Sequence, residues 1–305
     1  MTSLRPRIIL DCDPGIDDAF AIMCAIRFTD LVAITTVSGN VPIEHTTRNA
    51  LHVLELSGAD VPVHRGASAP LVLDAAFADG VHGVAGLGDT PTPEPIAQPQ
   101  RTSAVDALLT LTTEAPTTVV AIGPLTNVAR ALRTDPSVAT RIEALHWMGG
   151  STSDGNVTPT AEFNSWADPH AADEVIRSGV PITMYGLNLT RQVRMSRHES
   201  DRLRRYGTPT SSRAADFLDF YEAHGANDGL GQPMHDPCAV LGLTHPELVT
   251  VEMANIVVGV NDHDRGRTSV HDANHISTRI SVARTADAPH MIELIVDAAT
   301  TPLAT

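Results

Sequence analysis

Lysine is absent from this chain of 305 residues, so all 21 basic side chains are arginine. Without a lysine amine, the chain can supply neither Schiff-base catalysis nor the lysine of a phosphate-binding loop. The three cysteines are odd in number and form no C-x-x-C pair, which argues against a disulfide framework and predicts reduced thiols. A long apolar run is also missing behind the N-terminal arginines. We therefore expect a cytoplasmic protein with no signal peptide or membrane span.

Positive charge is scarce overall, because 36 acidic residues face 21 arginines and leave a formal net charge of −15. No local basic patch offsets this excess, so phosphate backbones and anionic membranes would be repelled. We expect a small-molecule substrate and neither a nucleic-acid nor a membrane partner. The hydrophobic content of 42% is ample for a large buried core.

Apolar, β-rich runs alternate with helix-like stretches. "RIILD" precedes "DDAFAIMCAIRF", "LVAITTVSGN" precedes "EHTTRNALHVLELSG", and "TTVVAIG" precedes "LTNVARALRT". This alternation is typical of βαβ units. It predicts the α/β class, with an open, mainly parallel twisted sheet flanked by helices. No segment resembles a linker or an internal repeat, so we predict a single domain over residues 1–305.

Polar clusters fall at the junctions where the predicted strands end. Asp13, Asp17 and Asp18 follow the first strand, Asn40 follows "AITTVSG", and "GPLTN", "MGGSTSDGN" and "AEFNSWADP" lie at later junctions. In open α/β sheets, ligands bind beyond the carboxyl ends of the strands. The sequence therefore predicts one shared site at that edge of the sheet.

The segment "IILDCDPGIDDAF" places four carboxylates, those of Asp11, Asp13, Asp17 and Asp18, within eight positions. At about 4 Å, two like charges repel by roughly 1 kcal/mol in water and by more where solvent is partly excluded. A bound cation, a raised pKa, or exposure with Asp17 as a helix cap would each offset this repulsion. Oxygen-only ligands suit Ca²⁺ or Mg²⁺ rather than zinc.

The segment "GQPMHDPCAVLGL" places His235 and Asp236 directly before a proline and an apolar helix. Taken alone, "HDP" is also an ordinary helix start. Together with the N-terminal acids, Asp236 could complete a metal shell, and His235 could donate a proton near neutral pH.

Groups suited to sugar hydroxyls occur in "DGN" and "EFN", which contain Asn156, Glu162 and Asn164, although turns and caps use the same residue types. The glycine-rich "DGVHGVAGLGD" contains His82 and lacks the G-x-G-x-x-G spacing of a dinucleotide site. We predict a mobile lid there, with a plain loop as the alternative.

Six motifs in order, "DCDPGIDDA", "TTVSGN", "GPLTN", "LHWMGG", "DGN…AEFN…ADP" and "HDPCAV", make the chain similar to the inosine-uridine preferring nucleoside hydrolase family. The resemblance runs from residue 7 to about residue 245. It implies a nucleoside hydrolase fold with a Rossmann-like core and a Ca²⁺ at the carboxyl ends of the strands. It also implies hydrolysis of ribonucleosides to ribose and free base by a homotetramer or homodimer.

The same resemblance implies a role for each matching residue. Asp13 would be the general base, Asp11 would support it, and His235 would assist departure of the nucleobase. The Ca²⁺ ligands would be Asp13, Asp17, Asp18, Asp236 and the backbone carbonyl of Ile122. The residues that contact ribose would be Asn40, Asn156, Glu162 and Asn164, with Met148 lining the pocket. Family members differ in how they bind the nucleobase, and for that role we nominate Tyr221, His224 and Asn227, with His82 of the glycine-rich segment as a further substrate contact.

Two other interpretations remain open at this point. D-x-D after a first strand also opens the haloacid-dehalogenase-like phosphohydrolases, but Gly15 stands where they have Thr or Val, and lysine is absent. A non-catalytic, calcium-dependent ribose or nucleoside binding protein could use the same scaffold. Against it, pure binding would not need both Asp13 and His235.

Overall fold

The structure is a computed structural model that describes residues 5–89, 92–225, 228–271 and 279–301. Asn227, nominated above, lies outside the described residues. The strands are β1 (Arg7–Cys12), β2 (Asp30–Thr36), β3 (Val63–Arg65), β4 (Thr117–Ala121), β5 (Ile142–Met148), β6 (Ile182–Tyr185), β7 (Arg194–Met195), β8 (Gln232–Pro233), β9 (Val249–Val258), β10 (Thr268–His271) and β11 (Arg279–Ala286). The α-helices are α1 (Ile16–Phe28), α2 (Ile43–Ser57), α3 (Asp79–His82), α4 (Ala104–Glu114), α5 (Thr126–Thr134), α6 (Phe163–Ala167), α7 (Pro169–Ile176), α8 (Leu187–Thr190), α9 (Arg197–Tyr206), α10 (Pro209–His224), α11 (Pro237–Thr244) and α12 (Ala288–Thr300).

Within the described ranges, nine strands form one sheet in the order β10-β9-β11-β6-β5-β4-β1-β2-β3. The seven strands from β11 to β3 run parallel to one another, whereas β9 pairs antiparallel with both β11 and β10 at one edge. The predicted mainly parallel α/β sheet is therefore confirmed. The antiparallel edge was not predicted. Strands β7 and β8 form a separate two-stranded ribbon.

Alternate residues of β1 enter two different hydrophobic cores. Ile8 and Leu10 pack with Phe20 of α1 on one face of the sheet, and Ile9 packs with Trp147 on the other. All five side chains are fully buried, and burying an isoleucine or leucine side chain stabilises a fold by about 1.5–3 kcal/mol. A strand covered on both faces has a continuous apolar run, which is the pattern that "RIIL" shows.

The parallel register brings the ends of the central strands to one edge. Cys12 pairs with Thr36 of β2, Asp11 pairs with Ala121 of β4, and Ala121 pairs in turn with Trp147 of β5. The residues that follow these strands therefore emerge side by side, as the sequence predicted.

No helix in the described parts of the chain is both long enough and apolar enough to cross a bilayer.

Candidate active site

Three buried carboxylates converge where helices α1 and α11 begin. Asp17 and Asp18 occupy the first turn of α1, and Asp236 directly precedes α11. One oxygen from each carboxylate lies within 4.8 Å of the other two, and each residue is at most 4% exposed. Three oxygen donors at this spacing could hold one metal ion.

The turn between β1 and α1 is organised by Asp18. Its carboxylate accepts hydrogen bonds from the backbone nitrogens of Asp13 at 3.2 Å and Gly15 at 2.9 Å, and from Asn40 Nδ2 at 3.0 Å. A Cβ at Gly15 would lie 2.7 Å from His82 Nδ1 and 2.8 Å from Asn40 Nδ2, so only glycine fits this approach without a shift. Because a carboxylate offers about four lone-pair sites, Asp18 can shape the turn and still bind a cation.

Asp13 lies in a cradle of backbone. Its Oδ2 accepts a hydrogen bond from the backbone nitrogen of Asn40 at 2.7 Å, whereas its buried Oδ1 has no hydrogen-bond partner in the described chain. A Cβ at Gly39 would come within 2.1 Å of Oδ2, and one at Gly123 within 2.5 Å of Oδ1. The glycines thus leave just enough room for this carboxylate. A buried carboxylate oxygen without a donor is a group that a cation or a water would satisfy.

The electrostatics of the cluster are those of crowded, desolvated acids. Burial raises the pKa of Asp17 to about 8 and the pKa of Asp18 to about 6, and in Asp17 the neighbouring Asp18 adds to the effect. The pKa values of Asp13 and Asp236 are also raised well above their ordinary range, first by burial and then by the surrounding carboxylates. The site therefore holds four ionised acids only if positive charge enters it.

The donor set of this cluster fits a hard cation. All its charged donors are carboxylate oxygens, which Ca²⁺ and Mg²⁺ prefer. The backbone carbonyl of Ile122 accepts a hydrogen bond from Asn164 Nδ2 at 2.7 Å, and Ile122 lines the same cavity as Asp17 and Asp236. A second lone pair on that carbonyl oxygen is available to a cation.

Glu162 and Asn164 line the same cavity as Asp17 and Asp236. The Glu162 carboxylate caps α6 and accepts hydrogen bonds from the backbone nitrogens of Asn164 (2.7 Å), Ser165 (3.1 Å) and Gly150 (2.7 Å). Burial nonetheless raises the pKa of Glu162 to about 7. Asn164 Nδ2 also donates to the Met148 carbonyl at 3.1 Å. These bonds leave the Asn164 amide oxygen and part of the Glu162 carboxylate available to a bound sugar.

Two histidines face the cavity and both are neutral at pH 7. Burial, with smaller contributions from Arg191, His82 and Arg194, lowers the pKa of His235 to about 3. Burial alone lowers the pKa of His82 to about 4. His82 Nδ1 accepts a hydrogen bond from the backbone nitrogen of Ile16 at 3.1 Å, and its ring lies 5.7 Å from that of Tyr221. A neutral His235 would meet a leaving group through a ring N–H rather than as an imidazolium.

A cavity of about 170 Å³ lies among these residues. The sequence-predicted residues that line it are Asp17, Asn40, His82, Ile122, Met148, Asn156, Glu162, Asn164, Tyr221, His235 and Asp236. Four further lining residues were not predicted, namely Ala78, Val81, Val157 and Phe163. They are apolar neighbours of the polar motifs, and only their adjacency to those motifs could have indicated them.

Four predicted residues of the described chain are not among those that line the cavity: Asp13 and Asp18 belong to the acidic turn described above, and His224 and Asp11 lie elsewhere. His224 is exposed near the end of α10, stacks on Phe220 with ring centroids 4.0 Å apart, and is not among the residues that line the cavity. Asp11 is fully buried behind the site, where its Oδ1 accepts hydrogen bonds from Thr35 Oγ1 at 2.6 Å and Asn127 Nδ2 at 2.8 Å. Asp11 is thus hydrogen-bonded to side chains of β2 and α5 rather than facing the cavity.

The predicted lid, residues 79–89, begins with α3 and continues as turns. It brings His82 over Gly15, and its Ala85 carbonyl accepts a hydrogen bond from Asn49 Nδ2 at 2.7 Å. The segment is thus tied to α2 as well as to the first turn of α1.

A larger cavity, of about 520 Å³, lies among the ends of α1, α2 and α12 and the start of α10. Glu55 is the one carboxylate on its described wall. It lacks the converging acids, the amides and the histidines of the smaller cavity, so chemistry rather than size identifies the candidate site.

Comparisons with known proteins agree on one family. The family model described as inosine-uridine preferring nucleoside hydrolase matches residues 8–293. The pyrimidine-specific ribonucleoside hydrolase RihA of Shewanella woodyi is 42% identical over 276 residues, covering 87% of this chain and 88% of that protein. RihA of Escherichia fergusonii is 41% identical over 251 residues, covering 80% and 81%.

Two solved structures show the same architecture. A plant nucleoside hydrolase superposes with a TM-score of 0.92 at 33% identity, covering 98% of this chain and 100% of that one. A purine-preferring ribonucleoside hydrolase from Gardnerella vaginalis also superposes with a TM-score of 0.92 at 33% identity, covering 96% and 98%. The resemblance inferred from the six motifs is therefore confirmed across nearly the whole chain.

Proposed function

This chain belongs to the inosine-uridine preferring nucleoside hydrolase family and is a hydrolase of N-glycosyl compounds, and we propose that it hydrolyses ribonucleosides to ribose and free nucleobase. The observation that carries this proposal is the convergence, on one cavity, of buried acids with amides and histidines. Acids at one end of the cavity suit a water and the sugar carbon, and the histidines suit a departing base.

We propose Ca²⁺ as the cofactor, held by the carboxylates of Asp13, Asp17, Asp18 and Asp236 and by the carbonyl of Ile122. The unpartnered Asp13 Oδ1 and the raised pKa values of the acids support this assignment. A bound divalent cation supplies positive charge that offsets the carboxylate repulsion and lowers the pKa of water and of sugar hydroxyls.

Asp13 is the proposed general base. Burial and the neighbouring acids favour its protonated form in the absence of a cation, so a bound divalent cation would keep this carboxylate ionised and able to accept the proton of an attacking water. The water oxygen bonds to C1′ while the C1′–N bond breaks and its electron pair passes to the base. The water proton goes to Asp13 and then to solvent. Because attack and departure occur on opposite faces, we expect inversion at C1′.

His235 is the proposed stabiliser of the departing base. Since its imidazole is neutral, it acts by donating a hydrogen bond rather than as an imidazolium acid. The negative charge that develops on the base strengthens such a bond. The released base then takes its proton from water. His82 and Tyr221, at the same end of the cavity, are the proposed base contacts.

The ribose is the proposed occupant of the space between the acids and Glu162. Asn40, Asn156, Glu162 and Asn164 offer polar groups to this cavity, and Met148 also lines it. Asn156 is the exposed member of this group, at the mouth of the cavity. Positive charge develops on ribose in an oxocarbenium-like transition state, and the surrounding carboxylates stabilise it.

The reaction would serve nucleoside catabolism and the salvage of purine and pyrimidine bases.

We also propose that the chain acts as a homodimer or homotetramer. Val251, Met253 and Val270 support self-association, because these large apolar side chains are 50–53% exposed near one edge of the sheet. Sedimentation velocity would test it, and a single species of 32.4 kDa at micromolar concentration would contradict it.

The test is chromatographic detection of base release from a panel of ribonucleosides and 2′-deoxyribonucleosides, with and without chelator. We expect release from ribonucleosides that depends on added Ca²⁺ and is lost in Asp13→Asn. Absence of release from every nucleoside would contradict the hydrolase function of this chain. Equal rates for the deoxy series would contradict a role for the 2′ hydroxyl, and phosphate release from nucleotides would favour the phosphohydrolase alternative.

A further inference from the structure

Helix α8 ends beside the histidine that faces the cavity. Its last residue, Thr190, is fully buried, and Thr190 Oγ1 lies 2.7 Å from His235 Nδ1. We propose that Thr190 is a positioning residue whose hydroxyl donates to Nδ1 and so holds the imidazole with its proton on Nε2. This inference rests on the proposed function, because it specifies how His235 meets the departing base.

The direction of this hydrogen bond follows from the surroundings of the hydroxyl. In the described chain Thr190 Oγ1 makes one hydrogen bond, the one to His235. A buried hydroxyl hydrogen without an acceptor is costly, and Nδ1 is the acceptor within reach. If the hydroxyl donates, Nδ1 must carry the lone pair, and the ring proton must lie on Nε2.

Both partners are held by main-chain hydrogen bonds. The Thr190 nitrogen donates to the Gly186 carbonyl at 3.0 Å, and the Val193 nitrogen donates to the Thr190 carbonyl at 3.2 Å. On the other side, the Met234 nitrogen donates to the Val193 carbonyl at 2.9 Å. The backbone beside His235 is thereby fixed to the turn that follows Thr190, so the side-chain pairing is built into the fold.

The residue after Thr190 extends the same arrangement to the sugar side. Arg191 donates to the carbonyls of Asp154 at 3.2 Å and Gly155 at 2.6 Å. These two residues precede Asn156 at the mouth of the cavity. One short segment therefore supports both the base end and part of the ribose end of the site.

The tautomer matters because it decides which ring nitrogen of His235 carries a proton toward the departing base. With the proton on Nε2, this nitrogen, for which the described residues provide no hydrogen-bond partner, donates a hydrogen bond to the base as negative charge develops on the base. With the proton on Nδ1, Nε2 would present a lone pair to that charge and would repel it. A donor held in place before reaction needs no reorganisation during it.

The test compares Thr190→Val, which keeps the shape but removes the hydroxyl, with Thr190→Ser, which keeps the hydroxyl. Each Ca²⁺-loaded variant is assayed on a ribonucleoside and on 4-nitrophenyl β-D-ribofuranoside, whose phenolate leaves without help from a donor. Thr112→Val is the matched control. Thr112 is a buried threonine of α4 that does not line the cavity, and its hydroxyl donates a hydrogen bond to the Leu108 carbonyl at 2.7 Å.

We expect Thr190→Val to lower kcat for the ribonucleoside by about ten-fold or more, the size of one hydrogen bond to a charged group. The nitrophenyl substrate should change less than three-fold, and Thr190→Ser should recover most of the lost activity. Unchanged kcat for the ribonucleoside would overturn the proposal. An equal loss on both substrates, or a loss in Thr190→Ser as large as in Thr190→Val, would also overturn it, because the residue would then act only in packing.

A second readout is independent of turnover. In ¹⁵N-histidine-labelled protein, the His235 resonances, assigned with His235→Gln, should report a proton on Nε2 in the wild type and a mixed or reversed population in Thr190→Val. A wild-type proton on Nδ1 would overturn the role of Thr190 even if the protein cleaves nucleosides. Failure to cleave any nucleoside would instead contradict the proposed function and leave the tautomer result standing.

Discussion

Removal of the cation should change how the stability of this protein depends on pH. In metal-free protein the pKa of Asp17 is raised from 3.8 to about 8, so folded Asp17 keeps a proton that the unfolded chain releases. A group with a raised folded pKa contributes stability that is lost as the pH rises toward that value. Between pH 6.5 and 8, one such proton lowers the free energy of unfolding by about 2 kcal/mol, because each pH unit contributes about 1.4 kcal/mol.

This pH window separates the acids from the buried histidines. The pKa values of His82 and His146 are lowered to about 4, and that of His235 to about 3. These groups contribute stability that is lost as the pH falls through 6.5, and above that pH their slope, opposite in sign to that of the acids, fades within about one pH unit. Glu162, with a pKa of about 7, acts in the same direction as Asp17 and steepens the loss.

The assay is urea unfolding at pH 6.5, 7, 7.5 and 8, in EDTA and in saturating Ca²⁺. We expect the free energy of unfolding to fall by about 2 kcal/mol or more across this range in EDTA, and to fall little in Ca²⁺, because the cation keeps the folded carboxylates ionised. Asp17→Asn should flatten the EDTA slope, whereas Asp135→Asn, at an exposed helix start, should not. Coincident curves at pH 8 with and without Ca²⁺, or metal-free protein that gains stability toward pH 8, would refute this reasoning.

Three further outcomes follow from the same contacts. Asp13→Asn should lower kcat by about 10²- to 10⁴-fold through loss of the general base, and an undiminished steady-state rate would contradict that role. Gly39→Ala should weaken Ca²⁺ binding in calorimetry, since its Cβ would lie 2.1 Å from Asp13 Oδ2. The control Gly80→Ala, whose Cβ would have nothing within 4 Å, should leave the affinity unchanged. Equal affinities of the two variants would contradict close packing of Gly39 against Asp13. Because the pKa of His146 is lowered to about 4, this residue binds a proton below pH 6.5 in the unfolded chain but not in the folded protein. His146→Asn should therefore remove up to about 3 kcal/mol of acid-induced destabilisation between pH 6.5 and 4. Urea unfolding measures this effect, and an unchanged pH dependence of stability would contradict it.

Much of the site could be predicted because its residues follow their strands directly. Asp13, Asn40 and Ile122 each come within four residues of the end of a strand, and parallel neighbours place those ends together. The same local logic accounts for Gly15, Asp17 and Asp18, which begin α1 immediately after the turn. This reasoning does not extend to helix α10, where Tyr221 lines the cavity but His224, three residues later, is exposed to solvent.

The sequence by itself determined the α/β class, the order of the polar junctions and the oxygen-rich character of the acidic cluster, since periodicity and residue chemistry are local properties. Tertiary structure decided which distant groups meet. Asp236 lies more than 200 positions from Asp17 and Asp18, yet its oxygen lies within 4.8 Å of theirs because α11 begins against α1. The pairing of Thr190 with His235 and the lowered pKa of that histidine likewise arise from burial between elements far apart in the chain, which no spacing in the sequence encodes.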